Sequence, residues 1–145
     1  MRTVTLLSCI LMLGLFQPAT ADPVFRKAEN DVQMAVVEVS NFASYTEVRL
    51  QAQAATQEVC WYSKGPNSPY LVAGGRRYRF VGGDAITGCP ARRNYAAGES
   101  MVLRFEPLDP QVRDVSLVEG EGGENQMRGS SSGEQFWNFL NIRLR

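Results

Sequence analysis

The stretch Thr46-Glu47-Val48-Arg49-Leu50-Gln51-Ala52-Gln53, residues 46–53, decides the fold class of this chain. Its apolar or small side chains alternate one by one with charged or amide side chains. Because successive side chains of a β-strand point to opposite faces, a period of two separates the two kinds completely. The pattern therefore predicts a strand with one buried face and one face in water.

Short strands of similar character are predicted along the rest of the chain, separated by turns rich in glycine and proline. They cover residues 32–39, 59–63, 70–72, 76–81, 101–106, 115–118 and 136–144. Strands at this spacing, with a tryptophan beside a cysteine, favour an all-β, two-sheet β-sandwich. A small eight-stranded β-barrel is the alternative.

Four segments depart from the strand pattern. Residues 119–134 are dominated by Gly, Glu and Ser, which predicts a long flexible loop. Both faces of the last strand begin with aromatic side chains, which predicts a β-bulge near residues 138–141. Short helical turns are expected only at residues 25–33 and 110–113.

The first residues have the composition of a secretory signal peptide. Met1-Arg2 supplies a positive charge, residues 4–16 are mostly apolar, and Ala19-Thr20-Ala21 provides the small-x-small pattern of a cleavage site. The apolar run is shorter than the roughly 20 residues that a membrane helix needs. We therefore expect residues 1–21 to be removed, leaving residues 22–145 as a single domain in the periplasm or outside the cell, with no membrane span.

Two cysteines remain after that cleavage, Cys60 and Cys89. An exported chain enters an oxidising compartment, so this even pair predicts one intradomain disulfide bond. The spacing is not C-x-x-C, which argues against a thioredoxin-type redox role. In the chain-entropy description, closing a loop of about 30 residues contributes roughly 3.5 kcal/mol to the free energy of unfolding.

The composition excludes several classes of function. Fifteen basic residues balance fifteen acidic ones, whereas a nucleic-acid-binding domain is usually strongly basic. The chain contains no histidine, which removes the commonest metal ligand and proton shuttle. Lys27 and Lys64, the lysines beyond the predicted signal peptide, lie in no Ser-x-x-Lys pattern. We expect no cofactor, no metal and no nucleic-acid partner.

Acidic residues provide one route to catalysis, because a pair of carboxylates can hydrolyse glycosides. The candidates lie in glycine-rich segments, where carboxylates are normally solvated and keep ordinary pKa values. This expectation covers Asp109, Asp114, Glu119, Glu121 and Glu124.

Arginines form the most marked charge cluster of the chain. With a tyrosine among them, they suit an anionic partner such as an acidic protein face, and the disulfide would bring the two groups of arginines together. The alternative is a solvated face, or a strand edge protected against aggregation. The predicted partner-binding residues are Arg76, Arg77, Tyr78, Arg79, Arg92 and Arg93.

The two tryptophans are predicted to belong to the core. Trp61 adjoins Cys60 on an apolar strand. Trp137 follows the predicted loop, so partial exposure and a binding role are the alternative for that side chain.

From Tyr45 onward the chain resembles small exported bacterial modules with an immunoglobulin-like β-sandwich fold. The resemblance lies in core and turn residues, and these modules have no agreed function, so it implies a fold and no activity. The segments that carry it are Tyr45-Thr46-x-Val48, Trp61-Tyr62, Tyr70-Leu71-Val72, Gly75-Arg76-Arg77-Tyr78-Arg79-Phe80, Leu103-Arg104-Phe105-Glu106-Pro107-Leu108, Leu117-Val118-Glu119 and Phe139-Leu140-Asn141-Ile142-Arg143-Leu144.

A weaker resemblance concerns residues 72–78. This segment is similar to the Ser-Gly-x-x-Tyr loop of periplasmic lysozyme inhibitors, but Ala73 stands where that serine would be. The inhibitory hydroxyl is therefore missing.

These observations together predict a non-enzymatic exported module that binds another envelope protein. The rim of its binding site would be the disulfide-tied Arg/Tyr segment and the loop of residues 119–134. An inhibitor or immunity protein is one concrete form of that hypothesis. A structural envelope subunit and a small carboxylate-based hydrolase are the alternatives.

Overall fold

The computed structural model describes residues 26–28, 33–130 and 133–144. These residues form short antiparallel strands and one helix, so the all-β prediction is confirmed. The predicted signal peptide, residues 1–21, lies outside the described residues. The elements are β1 (Arg26–Lys27), β2 (Met34–Asn41), β3 (Thr46–Ala52), β4 (Thr56–Val59), β5 (Tyr70–Ala73), β6 (Arg76–Asp84), β7 (Arg93–Tyr95), β8 (Ser100–Phe105), β9 (Asp114–Val118), α1 (Gly120–Met127) and β10 (Asn138–Arg143).

Eight strands form one curled sheet in the order β1-β2-β3-β8-β6-β5-β9-β10, and β4 pairs with β7 in a second sheet. Strand β6 belongs to both halves of the large sheet. Its first residues, 76–79, pair with β5. Its later residues, from Phe80 onward, pair with β8, and this pairing contains a register shift between Phe80 and Gly82. At that shift Gly82 adopts a φ of 152°, which favours glycine. The bend lets the two halves of the sheet face a common core.

The curled sheet is nearly closed. The guanidinium Nε of Arg26 in β1 donates a hydrogen bond of 2.8 Å to the carbonyl of Leu140 in β10, at the opposite end of the strand order. The sandwich with one disulfide is thus confirmed, with a closure that approaches the alternative barrel.

Strand β3 shows the burial that its sequence predicts. Thr46, Val48, Leu50 and Ala52 are buried, and the residues between them are exposed or half-buried. Burying an aliphatic side chain of this kind stabilises the fold by about 1.5–3 kcal/mol. The period of two therefore sets which face of β3 meets the core.

The predicted disulfide between Cys60 and Cys89 is present. It lies next to Trp61, whose backbone N–H donates to the carbonyl of Thr87 at 2.8 Å. The Trp61 ring is buried and meets the ring of Trp137 edge-on at 5.8 Å. Both tryptophans belong to the core, as predicted, and Trp137 is 8% exposed.

The prediction of a flexible loop over residues 119–134 is wrong for its first half, which forms helix α1. Helix propensity cannot explain this, because three of its eight residues are glycine. The helix is held by the turn that precedes β5: the N–H groups of Glu121 and Gly122 donate to the carbonyl of Pro66 and to Oδ1 of Asn67, at 2.8 and 3.0 Å.

Small residues let α1 pack closely. A Cβ atom on Gly122 would overlap the ring of Phe136, and one on Gly120 would overlap the backbone of Asn67. The side chain of Asn138 also donates a 3.1 Å hydrogen bond to the carbonyl of Gly123. Tertiary docking, not local preference, therefore makes this segment helical.

Two further predictions concern the ends of the described chain. The bulge in the last strand is confirmed: the pairing of β10 with β9 shifts between Phe139 and Ile142, and Asn141 has a φ of 56°. The helical turn expected over residues 25–33 is wrong at Arg26–Lys27, which pair with β2 as a strand. The one helix of the described residues, α1, is too short and too polar to cross a membrane.

Candidate functional site

A cavity of about 330 Å³ opens between strand β4, the disulfide and the segment that leads into β10. It lies at the lower end of the size range of ligand pockets. The lining mixes carboxylates, amides and aromatic rings. The lining residues are Gln33, Thr56, Gln57, Glu58, Val59, Cys60, Tyr62, Arg92, Glu119, Gly133, Glu134, Gln135, Phe136 and Trp137.

Glu119 is the buried carboxylate of this cavity. It directly follows β9 and precedes the first residue of α1, and only 6% of its surface is exposed. One carboxylate oxygen, Oε2, accepts a 2.8 Å hydrogen bond from the backbone N–H of Trp137. Its own N–H donates to Oδ1 of Asn138 at 3.4 Å. The end of β9 and the start of β10 thus hold Glu119 from two sides.

Burial raises the pKa of Glu119 to about 8. The negative charge of Glu134 raises it further, and the Trp137 N–H opposes the shift in part. At neutral pH this side chain is therefore mostly a neutral carboxylic acid. The expectation of a solvated carboxylate with an ordinary pKa is wrong for Glu119, because helix α1 and the 133–137 segment shield it from water.

Three polar side chains form the rim of the cavity. The hydroxyl of Tyr62 donates to the carboxylate of Glu134 at 3.3 Å, and burial together with this carboxylate raises the pKa of Tyr62. Arg92 donates a 3.0 Å hydrogen bond from Nη1 to the backbone carbonyl of Glu58. The rim therefore presents a phenol, a carboxylate and a guanidinium within one opening.

The cavity wall at Glu58 is conformationally strained. Glu58 has a φ of 57°, which is unfavourable for a residue with a side chain. Its N–H donates to Oδ1 of Asn94 at 2.9 Å, and its carbonyl accepts from Arg92. Contacts from the β7 region thus hold the β4 wall in this conformation.

The arginines of β6 lie elsewhere, on the large sheet. Arg76, Arg77 and Arg79 have side chains that are 58%, 60% and 84% exposed. Each pairs with a carboxylate, and the partners are Asp109, Glu124 and Glu106 at 3.2, 2.8 and 2.7 Å respectively. The pairing neutralises most of the charge that the sequence suggests.

Two tyrosines contact these ion pairs through hydrogen bonds to the carboxylates and through ring faces that pack against the arginines. The ring of Tyr78 is buried, its hydroxyl donates to Asp109 at 2.9 Å, and Arg76 stacks over it. A partner would therefore meet the arginines and not the predicted contact Tyr78. Tyr70 donates to Glu124 at 2.5 Å, and burial and this bond raise the pKa of Tyr70 to about 12.

The structure does not join the two predicted groups of arginines. Arg93 lies in β7 of the second sheet, stacks on Tyr95 and approaches Glu99 at 3.8 Å. Arg92 borders the cavity. The disulfide does bring Cys89 next to the segment of Trp61, but Arg93 pairs with β4 and not with β6.

The sequence placed residues 119–134 on the rim of the binding site and marked Glu119 as a catalytic candidate, but it indicated neither the burial of Glu119 nor Tyr62 as a site residue. One pattern could have indicated Glu119: it directly continues the apolar strand Val115–Val118. Nothing in the local sequence marks Glu134, because its position depends on how the chain returns after α1.

Comparisons with known proteins found no matching family model, curated protein or solved structure. Within the described ranges, no three cysteine or acidic side chains are grouped so that they could hold a metal ion. The candidate site therefore rests on its own geometry.

Proposed function

We propose that this protein is an exported, non-enzymatic binding module that contacts another envelope or secreted protein at the cavity beside Glu119. The observation that carries the proposal is the cavity itself, which combines a buried carboxyl with a polar and aromatic rim. Its volume suits one or two side chains of a partner. The disulfide and the signal-like first residues support export.

The paired arginines of β6 form a secondary contact surface in this proposal. An acidic partner would have to share Arg76, Arg77 and Arg79 with the carboxylates that already bind them. Exposed ion pairs of this kind contribute about 0–1 kcal/mol each. Replacing the carboxylates of this chain with those of a partner would therefore cost little and contribute little to the binding free energy. An inhibitor or immunity role would use the cavity to receive a protruding segment of the blocked protein.

Affinity capture from the envelope fraction of the native host tests this function. Residues 22–145 serve as bait in three forms: the native sequence, the cavity-rim variant Tyr62→Ala/Glu134→Ala, and the β6 variant Arg76→Ala/Arg77→Ala/Arg79→Ala. We expect one dominant protein with the native and β6 baits, reduced at least tenfold with the cavity-rim bait. All three baits should first show matching circular dichroism spectra.

The three baits separate the possible sites. Loss with the β6 variant alone would move the contact to the arginines. Failure of every bait to retain a specific protein would contradict the binding function.

A second candidate function is a carboxylate-based glycoside hydrolase, because Glu119 and Glu134 line one cavity. Such enzymes use a pair of carboxyl groups in one site, one of them an acid whose pKa is raised by burial. If the protein were such an enzyme, it would release reducing ends from cell-wall glycan strands, and Glu119→Gln and Glu134→Gln would each lower that rate at least a hundredfold. The binding function predicts no release by any of the three proteins.

A further inference from the structure

We propose that the cavity receives one cationic side chain of the partner protein, an arginine or a lysine, with the carboxylate of Glu119 as its counter-ion. This inference rests on the proposed function, since it names the chemistry of the group that the cavity accepts. Four observations carry it.

The first observation is the isolation of Glu119. Among the residues that the structure describes, Glu119 is the one acidic or basic residue whose side chain is buried. Its hydrogen bond from Trp137 occupies Oε2, and it takes part in none of the ion pairs of the described chain. Buried carboxylates are normally paired, because an uncompensated one is costly.

The second observation is the contrast with the other carboxylates. Glu47, Glu106 and Glu124 are less buried than Glu119, yet each has an arginine partner at 2.7–2.8 Å. The arginine partners are thus found at carboxylates that are more exposed to water than Glu119. It leaves the most desolvated carboxyl facing a cavity that opens to the outside.

The third observation is the charge of the lining. Among the described lining residues, Glu58 and Glu134 join Glu119 as carboxyl groups, and Arg92 is the one basic side chain. Arg92 is also committed to the backbone carbonyl of Glu58 at 3.0 Å. An incoming cation therefore meets more negative than positive groups.

The fourth observation is the aromatic lining formed by Tyr62, Phe136 and Trp137. Aromatic faces attract guanidinium and ammonium groups, more strongly when water is excluded. They also accept the methylene stem of arginine or lysine. A neutral or anionic side chain would gain only part of these contacts.

Binding of a cation must displace the proton of Glu119. The neutral acid loses its proton to solvent, the carboxylate forms, and the arginine or lysine keeps its charge throughout. Because the pKa of Glu119 is about 8, the ionised fraction rises about 50-fold between pH 6 and pH 8. The affinity for a cationic side chain should rise by about the same factor over this range.

The pH dependence of binding between pH 6 and pH 8 can be assigned to Glu119, because the other groups around the cavity do not obscure it. Tyr62, Glu134, Glu58 and Arg92 face the same cavity, and the raised pKa of Tyr62 keeps its phenol neutral below pH 8. The chain has no histidine, the residue that usually titrates between pH 6 and pH 8. The terminal amino group titrates in this range too, and it is unchanged in a Glu119→Gln variant.

Short peptides test the inference directly. The probes are the N-acetylated, C-amidated tripeptides Gly-Arg-Gly and Gly-Lys-Gly, with Gly-citrulline-Gly as the neutral isostere of the first. Binding to residues 22–145 is followed by the NMR shift of the Trp137 amide, whose proton bonds to Glu119. We expect the arginine and lysine peptides to bind at pH 8, about 50-fold more weakly at pH 6, and the citrulline peptide to bind at least tenfold more weakly than arginine at pH 8.

Variants assign the effect to Glu119. Glu119→Gln should weaken binding of the arginine peptide at least tenfold at pH 8 and remove its pH dependence. Arg92→Gln should strengthen binding by about threefold, because it removes a like charge from the rim. Glu121→Gln changes an exposed carboxylate in the first turn of α1, two positions after Glu119; it is the matched control and should change nothing.

Equal binding of the arginine and citrulline peptides, or no binding of either cationic peptide, would overturn the inference. So would an unchanged affinity in Glu119→Gln. The capture experiment is independent of these results: a protein caught by the native bait and lost with the cavity-rim variant would keep the binding function even if the peptides fail. Peptide binding without any captured protein would instead retain the cation site and reject the protein partner.

Discussion

Replacing Glu119 with glutamine is expected to raise the free energy of unfolding at pH 8.5 by on the order of 3 kcal/mol, and to leave it nearly unchanged at pH 4. Glutamine keeps the size of the side chain and the acceptor for the Trp137 N–H, but it cannot ionise. The variant therefore removes the cost of a buried charge and little else.

The sign follows from the two pKa values of Glu119. The carboxyl titrates near 4.5 when it is exposed and at about 8 in the folded protein, chiefly because of its burial. Between these values the folded state holds a proton that the unfolded state has released, so stability falls as the pH rises. Below pH 4.5 Glu119 is protonated in both states, and its full contribution to the free energy of unfolding is present. Above about pH 8 it is lost.

Thermal and urea unfolding of both proteins at several pH values provide the measurement. The difference between variant and native protein isolates Glu119, since every other carboxylate is common to both. At pH 8.5 the gain corresponds to a rise in Tm of about 10 °C. Glu121→Gln should stay within about 0.5 kcal/mol of the native protein at each pH. A constant difference for Glu119→Gln across the pH range would show that this carboxyl is not desolvated.

The result would also bear on function. A side chain that lowers stability at neutral pH is retained at a cost, which is the relation expected between stability and activity at a binding site. If Glu119→Gln is more stable and also loses peptide binding, the same residue both lowers the stability of the fold and binds the cationic side chain.

Removing the disulfide is expected to lower the free energy of unfolding by about 3.5 kcal/mol, which corresponds to a fall in Tm of about 10 °C. Cys60 and Cys89 are 29 positions apart, and the bond restricts the unfolded chain more than the folded one. It also holds the loop that follows β6 against Trp61 and the cavity wall. The change to make is Cys60→Ala/Cys89→Ala.

A reducing agent serves as the control for this variant. It should lower the Tm of the native protein to that of Cys60→Ala/Cys89→Ala and leave the variant unchanged. If reduction does not move the Tm of the native protein, the two thiols are not paired in solution.

Several features of the fold were predictable because they depend on neighbouring residues. The alternation in residues 46–53 sets the buried face of β3, since side-chain direction in a strand follows from backbone geometry alone. The aromatic residues that open the last strand predicted its bulge for the same local reason. The cysteine pair followed from a count and from the expected compartment, without knowledge of the fold.

The candidate site was predictable only in part, because it depends on residues far apart in the chain. Glu119, Glu134 and Tyr62 come together through the docking of α1 and the return of the chain to β10. The arginines after Cys89 were expected near β6, but strand pairing placed Arg93 beside β4. Neither outcome follows from the spacing of the residues.

The sequence by itself determined the strand character of most of the chain, the cysteine pair and the absence of histidine. These are properties of each residue and its immediate neighbours. The tertiary structure alone decided that a glycine-rich segment forms α1 and that Glu119 is shielded from water. Burial and the pKa shift that follows from it are collective, because they depend on which distant segments exclude the solvent.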